Sequence, residues 1–569
     1  MGEFGLRKPF PRVRCQTVAM TLFHNGTVWT GLSEVPVSDA LLVADGVIAG
    51  LGDAARSAAA EGEVEEVDLE GGFLMPSFGD GHAHPMFGGL EYVGPAVRPC
   101  GSVAEIVEAV RTYAEAHPDE EWIVGASYDG SLAEGGLFDA RWLDEAVLDR
   151  PVVLRAWDYH TVWCNSAALE RAGITADTPD PELGEIPHRD DGSVLGTLRE
   201  WGAIDLLTAV MPPQDEDVRI AALGTAADYY LARGVTWVQD AWVEPGDVDT
   251  YIEAARRGAL RMRFNLALYA DPRHFDSQVE HFSKVKRRVD QLGSPMLTAN
   301  TVKFFADGVV ENETGALLAP YCSGLHRHPG GQERSDSGEK VGMTVWEGDS
   351  LSEAARQIDD LGLQIHIHAI GDAAVRQALD AIEYAAEWNG PRDRRPVIAH
   401  VQLVDDADLA RFAELGVIPN MQPLWAQMDA LMTVLTIPRL GQERADKQYR
   451  MRTLEQSGAP LAFGSDWPVS SGAPLDGIAI AVSRQTSDGQ PDGGWVPEEI
   501  LTIDRALTAA TAAVADQAFG EGVWGRLVPG ASADLVWLDG DPRETAALDL
   551  PGLRIRGTYL RGAPAFTAS

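Results

Sequence analysis

The sequence predicts an α/β protein with a (β/α)8 barrel of the TIM type, joined to a β-sandwich domain that both ends of the chain build together. Three observations support this fold class. Eight short apolar runs alternate with helical stretches in the middle of the chain, both chain ends are rich in strands and turns, and His, Lys and Asp residues follow several of the apolar runs. In a barrel of parallel strands, such side chains meet at the rim formed by the strand ends.

The composition indicates a soluble globular protein whose partner is a small molecule. Of the 569 residues, 45% are hydrophobic and 23% are charged, and 46 Lys and Arg against 86 Asp and Glu give a formal net charge of −40. Nucleic acids and anionic membranes are bound through basic patches, so neither is an expected partner. No apolar run is long enough to span a membrane. A homodimer is the expected assembly.

Cysteine use and the chain start predict a cytoplasmic protein. The four cysteines are far apart in the sequence, without a Cys-x-x-Cys pair: Cys15, Cys100, Cys164 and Cys322. A chain of this size does not need a disulfide framework, so reduced thiols are expected. Residues 1–19 contain basic side chains but no apolar core of the signal-peptide kind. We expect them to form a tail, disordered or derived from cloning.

The two chain ends are predicted to form one composite β domain from residues 20–72 and 518–569. Asn-Gly and Asp-Gly turns between apolar runs are strong hairpin signals near the N-terminus, and the C-terminal stretch has the same texture. The runs are Leu22–Trp29, Ala40–Gly50, Gly525–Asp541 and Ile555–Phe566. A unit of about fifty residues is too small to bury a good core alone, so the two ends are expected to combine.

Residues 73–517 are predicted to form the barrel. The eight strands are Phe73–Phe78, Val235–Gln239, Met262–Leu268, Thr301–Phe305, Leu363–Ile367, Val397–Ala399, Val417–Asn420 and Leu461–Gly464. Helical periodicity lies between strands, at Arg219–Arg233, Leu351–Leu361, Ala374–Trp388 and Asp405–Leu415. Residues 88–213 are turn-rich and contain only two further strand-like runs, Trp122–Ser127 and Val152–Trp157. We therefore predict a long insertion after the first strand, close to the rim.

Five of the eight strands end near residues that can bind a metal ion. They are His82 and His84, Lys303, His366 and His368, His400, and Asp466. Residues i and i+2 of an extended segment point to the same face, so His82 and His84 can direct two imidazoles at one ion. His366 and His368 also share a face, so the spacing does not decide which of the two is the ligand. Convergence of these strand ends predicts a divalent metal site.

These residues lie within motifs that carry a family resemblance. In chain order they are FHNGTVWTG, MPSFGDGHAHP, RPVVLRAWDYHTVWCNSAAL, VKFFADG, HAIGDAA, AHVQLV, FGSDWPVS and ASADLVWLDGDP. With them the chain resembles the amidohydrolase superfamily, and within it the YtcJ-like metal-dependent hydrolases of the amidohydrolase-3 group, which includes N-substituted formamide deformylase. The resemblance covers nearly all of Thr21–Phe566.

The resemblance implies a metal centre with one or two divalent ions, with Zn²⁺ as the expected metal. The implied ligands are His82, His84, Lys303, His368, His400 and Asp466. The family pattern HAIGD thus selects His368 over His366. It also implies that Lys303 is carboxylated and bridges two ions. An unmodified lysine is a protonated ammonium at neutral pH and a poor ligand, so Lys303 fits this role only as a carbamate.

The resemblance further implies a metal-dependent amidohydrolase that cleaves a C–N bond of an amide, formamide, carbamate or urea-like molecule. Bound ions lower the pKa of a water molecule, and Asp466 is expected to accept its proton and pass it to the leaving nitrogen. We expect His160, in the insertion, to contact substrate and take part in catalysis. The other expected residues are Trp163, Trp425 and Trp467 as substrate contacts and Asp307 as a group that orients a ligand.

Other interpretations stay open. An esterase or lactonase would use the same centre, and a non-catalytic barrel scaffold would use none of it. Lys303 could instead form an ion pair with Asp307, and His160 could be a structural histidine. The predicted tryptophan contacts could be packing residues. His326 and His328 lie in a polar, turn-rich stretch and are interpreted as surface residues.

Overall fold

The computed structural model describes residues 20–32, 37–322 and 340–568. The predicted tail, residues 1–19, and the two histidines His326 and His328 lie outside these ranges. The described strands form three sheets: a mixed sheet from both chain ends, a parallel sheet of eight strands, and a four-stranded sheet in the insertion. In the described parts of the chain, no helix combines the length and the apolar character needed to cross a membrane.

The strands are β1 Met20–Trp29, β2 Val37–Ala44, β3 Val47–Leu51, β4 Val64–Asp68, β5 Phe73–Pro76, β6 Phe78–Ala83, β7 Ile123–Tyr128, β8 Val152–Ala156, β9 Thr161–Cys164, β10 Thr197–Arg199, β11 Val235–Val243, β12 Arg263–Tyr269, β13 Leu297–Phe305, β14 Gln364–Ala369, β15 Val397–His400, β16 Ile418–Met421, β17 Ala462–Phe463, β18 Leu535–Leu538, β19 Ile555–Leu560 and β20 Ala563–Thr567.

The α-helices are α1 Gly52–Ala59, α2 Pro85–Leu90, α3 Val103–Ala116, α4 Ala140–Asp144, α5 Ser166–Ala172, α6 Glu200–Thr208, α7 Glu216–Leu231, α8 Pro245–Arg256, α9 Phe275–Asp290, α10 Ser350–Asp360, α11 Asp372–Asn389, α12 Leu409–Leu415, α13 Ile437–Leu440, α14 Gln442–Ala445, α15 Met451–Gln456, α16 Pro474–Ser483, α17 Ile503–Ala509 and α18 Ala512–Gln517.

Strands from the two chain ends pair in one sheet. Its order is β20-β19-β18-β5-β1-β2-β3, with β4 also pairing with β1. Buried side chains from both ends pack together in it, among them Phe23, Leu41 and Leu535. We predicted a β-sandwich. Hydrogen bonding instead joins all eight described strands into one continuous sheet, because β5 and β18 pair with each other and link the two halves.

The barrel predicted from the sequence is confirmed as a nearly closed sheet of eight parallel strands, in the order β17-β16-β15-β14-β13-β12-β11-β6. The seam lies between the first and the last strand. There the Asp466 N–H donates to the His82 carbonyl oxygen over 2.7 Å, and the His84 N–H donates to the Trp467 carbonyl oxygen over 2.7 Å. The backbone therefore closes the barrel at its functional rim.

The first barrel strand was placed wrongly. We predicted Phe73–Phe78, but Phe73–Pro76 pairs antiparallel with β18 in the terminal sheet, and Phe78–Ala83 pairs with β11 in the barrel. The terminal sheet therefore continues past residue 72. One uninterrupted buried run serves two sheets, with Ser77 at the junction. Apolar content cannot show such a division, because both halves are buried.

The insertion is more regular than its sequence suggests. It contains a four-stranded sheet of order β10-β9-β8-β7, of which only the strands near Trp122–Ser127 and Val152–Trp157 were predicted. Strands β9 and β10 are only 4 and 3 residues long, which is too short for a clear periodicity. Trp163 on β9 is fully buried in the core of this unit, and its indole N–H donates to the Asp139 carbonyl oxygen over 3.0 Å.

A polar network fills the barrel interior below the rim. Gln517 at the end of α18 donates through Nε2 to the Gly81 carbonyl oxygen over 2.7 Å, and its Oε1 accepts from Asn420 Nδ2 over 2.8 Å. The Asn420 Oδ1 in turn accepts from Gln422 Nε2 over 3.2 Å. The side-chain amides of Gln517, Asn420 and Gln422 are thus paired, as burial requires. Their hydrogen bonds hold in position the backbone that leads up to the rim.

Candidate metal centre

The predicted ligands lie at the carboxyl ends of barrel strands. His82 is on β6, Lys303 on β13, His368 on β14 and His400 ends β15; all four side chains are at most 3% exposed. His400 and Asp466 have φ of 75° and 58°. A β-strand cannot continue through this left-handed conformation, so it marks the points where the chain turns at the rim.

The closest contacts join the first and the last strand segments. Asp466 Oδ1 lies 2.9 Å from His84 Nε2 and 3.4 Å from His82 Nε2. Ligand atoms of His82, His400 and Asp466 all lie within 4.8 Å of one another. Although its carboxylate is buried, Asp466 Oδ1 has no partner with hydrogen-bond geometry, and the same holds for His84 Nδ1. Close polar atoms without mutual hydrogen bonds are what a shared cation would join.

His366 holds His82 from behind. Its Nε2 lies 2.8 Å from His82 Nδ1, which leaves His82 Nε2 facing Asp466 and Lys303. His366 does not line the cavity above the rim, whereas His368 does. A partner that holds one ring nitrogen fixes the direction of the other nitrogen, as the neighbours of metal-bound histidines do. The geometry therefore favours His368 as the ligand and His366 as the residue that positions His82.

Lys303 is fully buried and lies among the histidines. Its Nζ is 3.4 Å from His82 Nε2, and the structure shows no ion pair between Lys303 and Asp307, the alternative raised by the sequence. Burial lowers the pKa of Lys303 to about 7, although Asp466 and Asp240 oppose this shift. A large fraction of the amine is then uncharged at neutral pH, which is the form that can react with CO₂.

Two further ligand candidates are oriented by neighbouring groups. His400 Nδ1 lies 2.8 Å from Gln422 Oε1, and its ring stacks on Trp425 at 5.3 Å between centroids. Its Nε2 is therefore the free nitrogen. His368 Nε2 lies 3.0 Å from the Gly308 carbonyl oxygen, which leaves Nδ1 as the nitrogen that can bind an ion.

Asp307 holds the loop beside His368. Its carboxylate accepts the N–H groups of Ala316, Ile370 and Gly371 over 2.8–3.0 Å, and its Oδ1 is 3.5 Å from His368 Nε2. Burial raises the pKa of Asp307 to about 7. We expected Asp307 to orient a metal ligand, and its contact is with His368 rather than with the neighbouring Lys303.

The electrostatics of the site suit a cation. Burial lowers the pKa of His82, His84 and His368 below the ordinary value, and that of His400 to about 3. These imidazoles are therefore neutral and can donate a lone pair. Burial alone would raise the pKa of Asp466, but His84, His400 and Lys303 around it lower it below the ordinary value. The site thus presents neutral nitrogens and one carboxylate, a set that divalent transition metals bind.

Asp80 is a functional residue that sequence reasoning missed. Its carboxylate accepts the Ser465 N–H over 2.9 Å and the Tyr230 hydroxyl over 3.1 Å, and it also binds the Ser465 hydroxyl. Asp80 lies two residues before His82, and Ser465 precedes Asp466. Asp80 therefore ties together the two segments that carry ligands. An acidic residue two positions before the His-x-His motif was the only signal in the sequence.

His160 from the insertion reaches the rim. Its Nδ1 lies 2.8 Å from Glu200 Oε2, and its ring centroid is 5.5 Å from that of His368. Burial opposes charge on His160, but Glu200 outweighs it, so the pKa of His160 is raised and the protonated form is favoured. Glu200 was not predicted, because it lies forty residues along the chain, at the start of α6.

A cavity of about 310 Å³ lies above the rim, between barrel and insertion. His82, His84, Lys303, His368, His400 and Asp466 all line it, and so do His160 and Trp425. Two predicted substrate contacts do not. Trp163 is inside the core of the insertion, and Trp467 stacks on Tyr229 at 4.5 Å beneath the rim. Apolar residues next to a motif are often packing residues, which explains both errors.

The chain matches known proteins over nearly its whole length. Residues 65–566 match the model of a family described as Amidohydrolase family. The chain is 31% identical over 559 residues to Protein LONG AFTER FAR-RED 3 of Arabidopsis thaliana, covering 96% of this chain and 91% of that protein. It is 27% identical over 551 residues to N-substituted formamide deformylase of Arthrobacter pascens, covering 95% and 96%.

A solved structure with the same architecture supports the match. It is an uncharacterized metal-dependent hydrolase from Pyrococcus furiosus, with a TM-score of 0.70 and 26% sequence identity. The similarity covers 92% of this chain and 100% of that chain.

Proposed function

This chain belongs to the amidohydrolase family, and from that premise we propose that it is a metal-dependent hydrolase of a C–N bond in a small amide, formamide, carbamate or urea-like molecule. The observation that carries the proposal is the convergence of six ligand-type side chains on one cavity. The choice of a C–N bond is supported by the similar protein named N-substituted formamide deformylase.

The residues present fit a divalent metal centre. His82, His84, His368, His400 and Asp466 would supply nitrogen and oxygen ligands, and the unpartnered Asp466 Oδ1 and His84 Nδ1 are consistent with this role. Zn²⁺ is the proposed metal. When bound, it would lower the pKa of a water molecule and polarise the substrate carbonyl.

We propose that Lys303 is carboxylated and can thereby hold two ions in place of one. Three features of the residue support this. Lys303 is fully buried, it forms no ion pair in the described parts of the chain, and its pKa of about 7 makes the reactive uncharged amine available. A carbamate would convert this buried cation into an oxygen ligand, which removes the cost of leaving an ammonium unpaired.

The other residues of the site would handle protons and position the substrate. Asp466, held as a carboxylate, is the proposed general base for the attacking water and the proton donor to the leaving nitrogen. His160, oriented by Glu200 and with a raised pKa, would donate a hydrogen bond to the substrate carbonyl oxygen or to the carboxylate product. The Trp425 ring, stacked on His400, would form an apolar wall.

A panel of small substrates tests the reaction type. It contains an N-substituted formamide, an N-acyl amino acid, an aryl carbamate and an aryl ester, each assayed for product with and without a chelator. We expect amine release from at least one of the first three, and a fall of about 10²-fold or more when the metal is removed.

The panel also separates the alternatives. Cleavage of the ester alone would replace the C–N proposal with an esterase or lactonase on the same centre. No cleavage of any member, combined with no bound metal, would favour the non-catalytic scaffold. The control is the chelator saturated with Zn²⁺ before use, which should not affect the rate.

A further inference from the structure

The cavity is also lined by three acidic residues that are not among the candidate metal ligands. Asp158, Glu311 and Asp429 all line it and are half-buried. In the part of the chain that the structure describes, none of the three forms an ion pair with a lysine or arginine. Arg98, an arginine that lines the cavity, is bound to Glu91 over 2.8–3.0 Å. The three carboxyl groups therefore face the cavity without a direct ion pair, although His160 lies close enough to Asp158, and Arg439 close enough to Glu311, to act on their pKa values.

Their hydrogen bonds come from neutral donors. Asp158 accepts the N–H groups of His160 and Thr161 over 2.9 Å, and Asp429 accepts the Met432 N–H over 2.8 Å. The side chain of Glu311 binds the Thr436 hydroxyl. These bonds hold each carboxylate in place but supply no direct ion pair. Burial accordingly raises the pKa of all three above the ordinary value.

A second, independent feature lies on the same wall. Tyr128 lines the cavity and is fully buried, yet its hydroxyl has no hydrogen-bond partner. A buried hydroxyl without a partner is destabilising, so such groups are normally satisfied. Tyr128 lies close enough to Asp158 for that carboxylate to affect the pKa of its hydroxyl. A ligand donor placed between them would satisfy both groups.

The wall is also aromatic. Trp157, Tyr159, Trp242 and Trp425 line the same cavity. Aromatic faces next to carboxylates form the kind of site that recognises ammonium groups, through cation–π attraction and charge-assisted hydrogen bonds. Neutral apolar substituents would use the rings but would leave the three carboxylates without a direct ion pair and the Tyr128 hydroxyl without a hydrogen bond.

We propose that the substrate carries a protonated amine besides the scissile bond, and that Asp158, Glu311, Asp429 and Tyr128 bind it. This inference rests on the proposed function, because it takes the metal centre as the place of the scissile bond. The substrate class is then an amide, formamide or related compound with an apolar body and a terminal ammonium. The carboxylates select this charge, and the aromatic residues contact the body.

The test compares two probes with the metal-loaded full-length protein. One is an N-alkylformamide that ends in a primary ammonium, and the other has the same chain length but ends in a methyl group. Isothermal titration calorimetry gives Kd for each, and amine release gives turnover. We expect the ammonium probe to bind at least about tenfold more tightly, which corresponds to about 1.4 kcal/mol.

Three variants assign the preference to the proposed residues. Asp158→Asn and Glu311→Gln keep the hydrogen-bond acceptor but remove the charge, so each should reduce the preference several-fold without loss of fold. Tyr128→Phe should weaken binding of the ammonium probe without lowering Tm, because the hydroxyl has no partner in the protein. The matched control is Asp191→Asn, since Asp191 also accepts a backbone N–H, that of Ser193, but does not line the cavity.

Equal Kd values for the two probes, or no measurable binding of either, would overturn the proposal. So would a loss of preference in Asp191→Asn as large as that in Asp158→Asn. A tenfold binding preference without amine release from either probe would support the ammonium subsite and count against the proposed hydrolysis, so the two proposals fail separately.

Discussion

Replacing Lys303 with alanine is expected to remove metal and activity together. The substitution takes away the proposed bridging carbamate, and with it the Lewis acid that contributes several kcal/mol to catalysis, so kcat/KM should fall by about 10³-fold or more. Metal content by elemental analysis and amine release from the best substrate are measured on the same preparation. Lys303 is fully buried, so Tm is recorded to show that the variant is folded.

Chemical rescue distinguishes a carbamate from a structural lysine. Short carboxylic acids such as acetate can enter the space left by the Lys303 side chain and replace the carbamate oxygens, so they should restore part of the metal binding and of the rate. Lys286→Ala is the matched control, because the Lys286 ammonium, on α9, binds Asp290 and Asn300 and does not line the cavity. Wild-type metal content and rate in Lys303→Ala would rule out the bridging role.

Asp466→Asn is expected to have the second large effect. Asparagine keeps the size of the side chain but cannot accept a proton, and general-base catalysis typically contributes about 10²–10⁴-fold. The neighbouring His84, His400 and Lys303 hold the pKa of Asp466 below its ordinary value, so the wild-type side chain is a carboxylate throughout the neutral range. The loss in kcat should therefore be the same at about pH 6 and about pH 8, well above the reference pKa of aspartate.

The control for this variant is Asp476→Asn. Asp476 lies near the start of α16, where its carboxylate accepts the Ser471 hydroxyl over 2.6 Å, and it does not line the cavity. Its rate should equal that of the wild type. An Asp466→Asn protein that keeps its metal and its full kcat would show that another group accepts the proton.

The sequence was sufficient to predict the barrel, because the barrel strands are buried on both faces and alternate with amphipathic helices. The family resemblance drawn from the motifs is confirmed by the match of residues 65–566. The division of Phe73–Ala83 between two sheets was missed, since its two halves differ in pairing partner but not in polarity. Pairing partners hundreds of residues apart, such as β5 and β18, leave no local signal.

The candidate site was predictable where spacing and strand ends fix the direction of a side chain. His82, His84 and Asp466 meet as expected at the seam of the barrel. Asp80 and Glu200 were missed, because each acts through a residue that is remote in sequence or on another segment. Trp163 and Trp467 were misplaced, because a sequence does not show which side of a buried segment faces a cavity.

Elemental analysis of the purified protein tests the central claim most directly. The account predicts one or two divalent ions per chain, with Zn²⁺ first among them, and loss of both metal and amide hydrolysis after dialysis against a chelator. Addition of the metal should restore both. A folded protein that holds no divalent ion, and whose Tm and activity are unchanged by the chelator, would contradict the metal-dependent reaction.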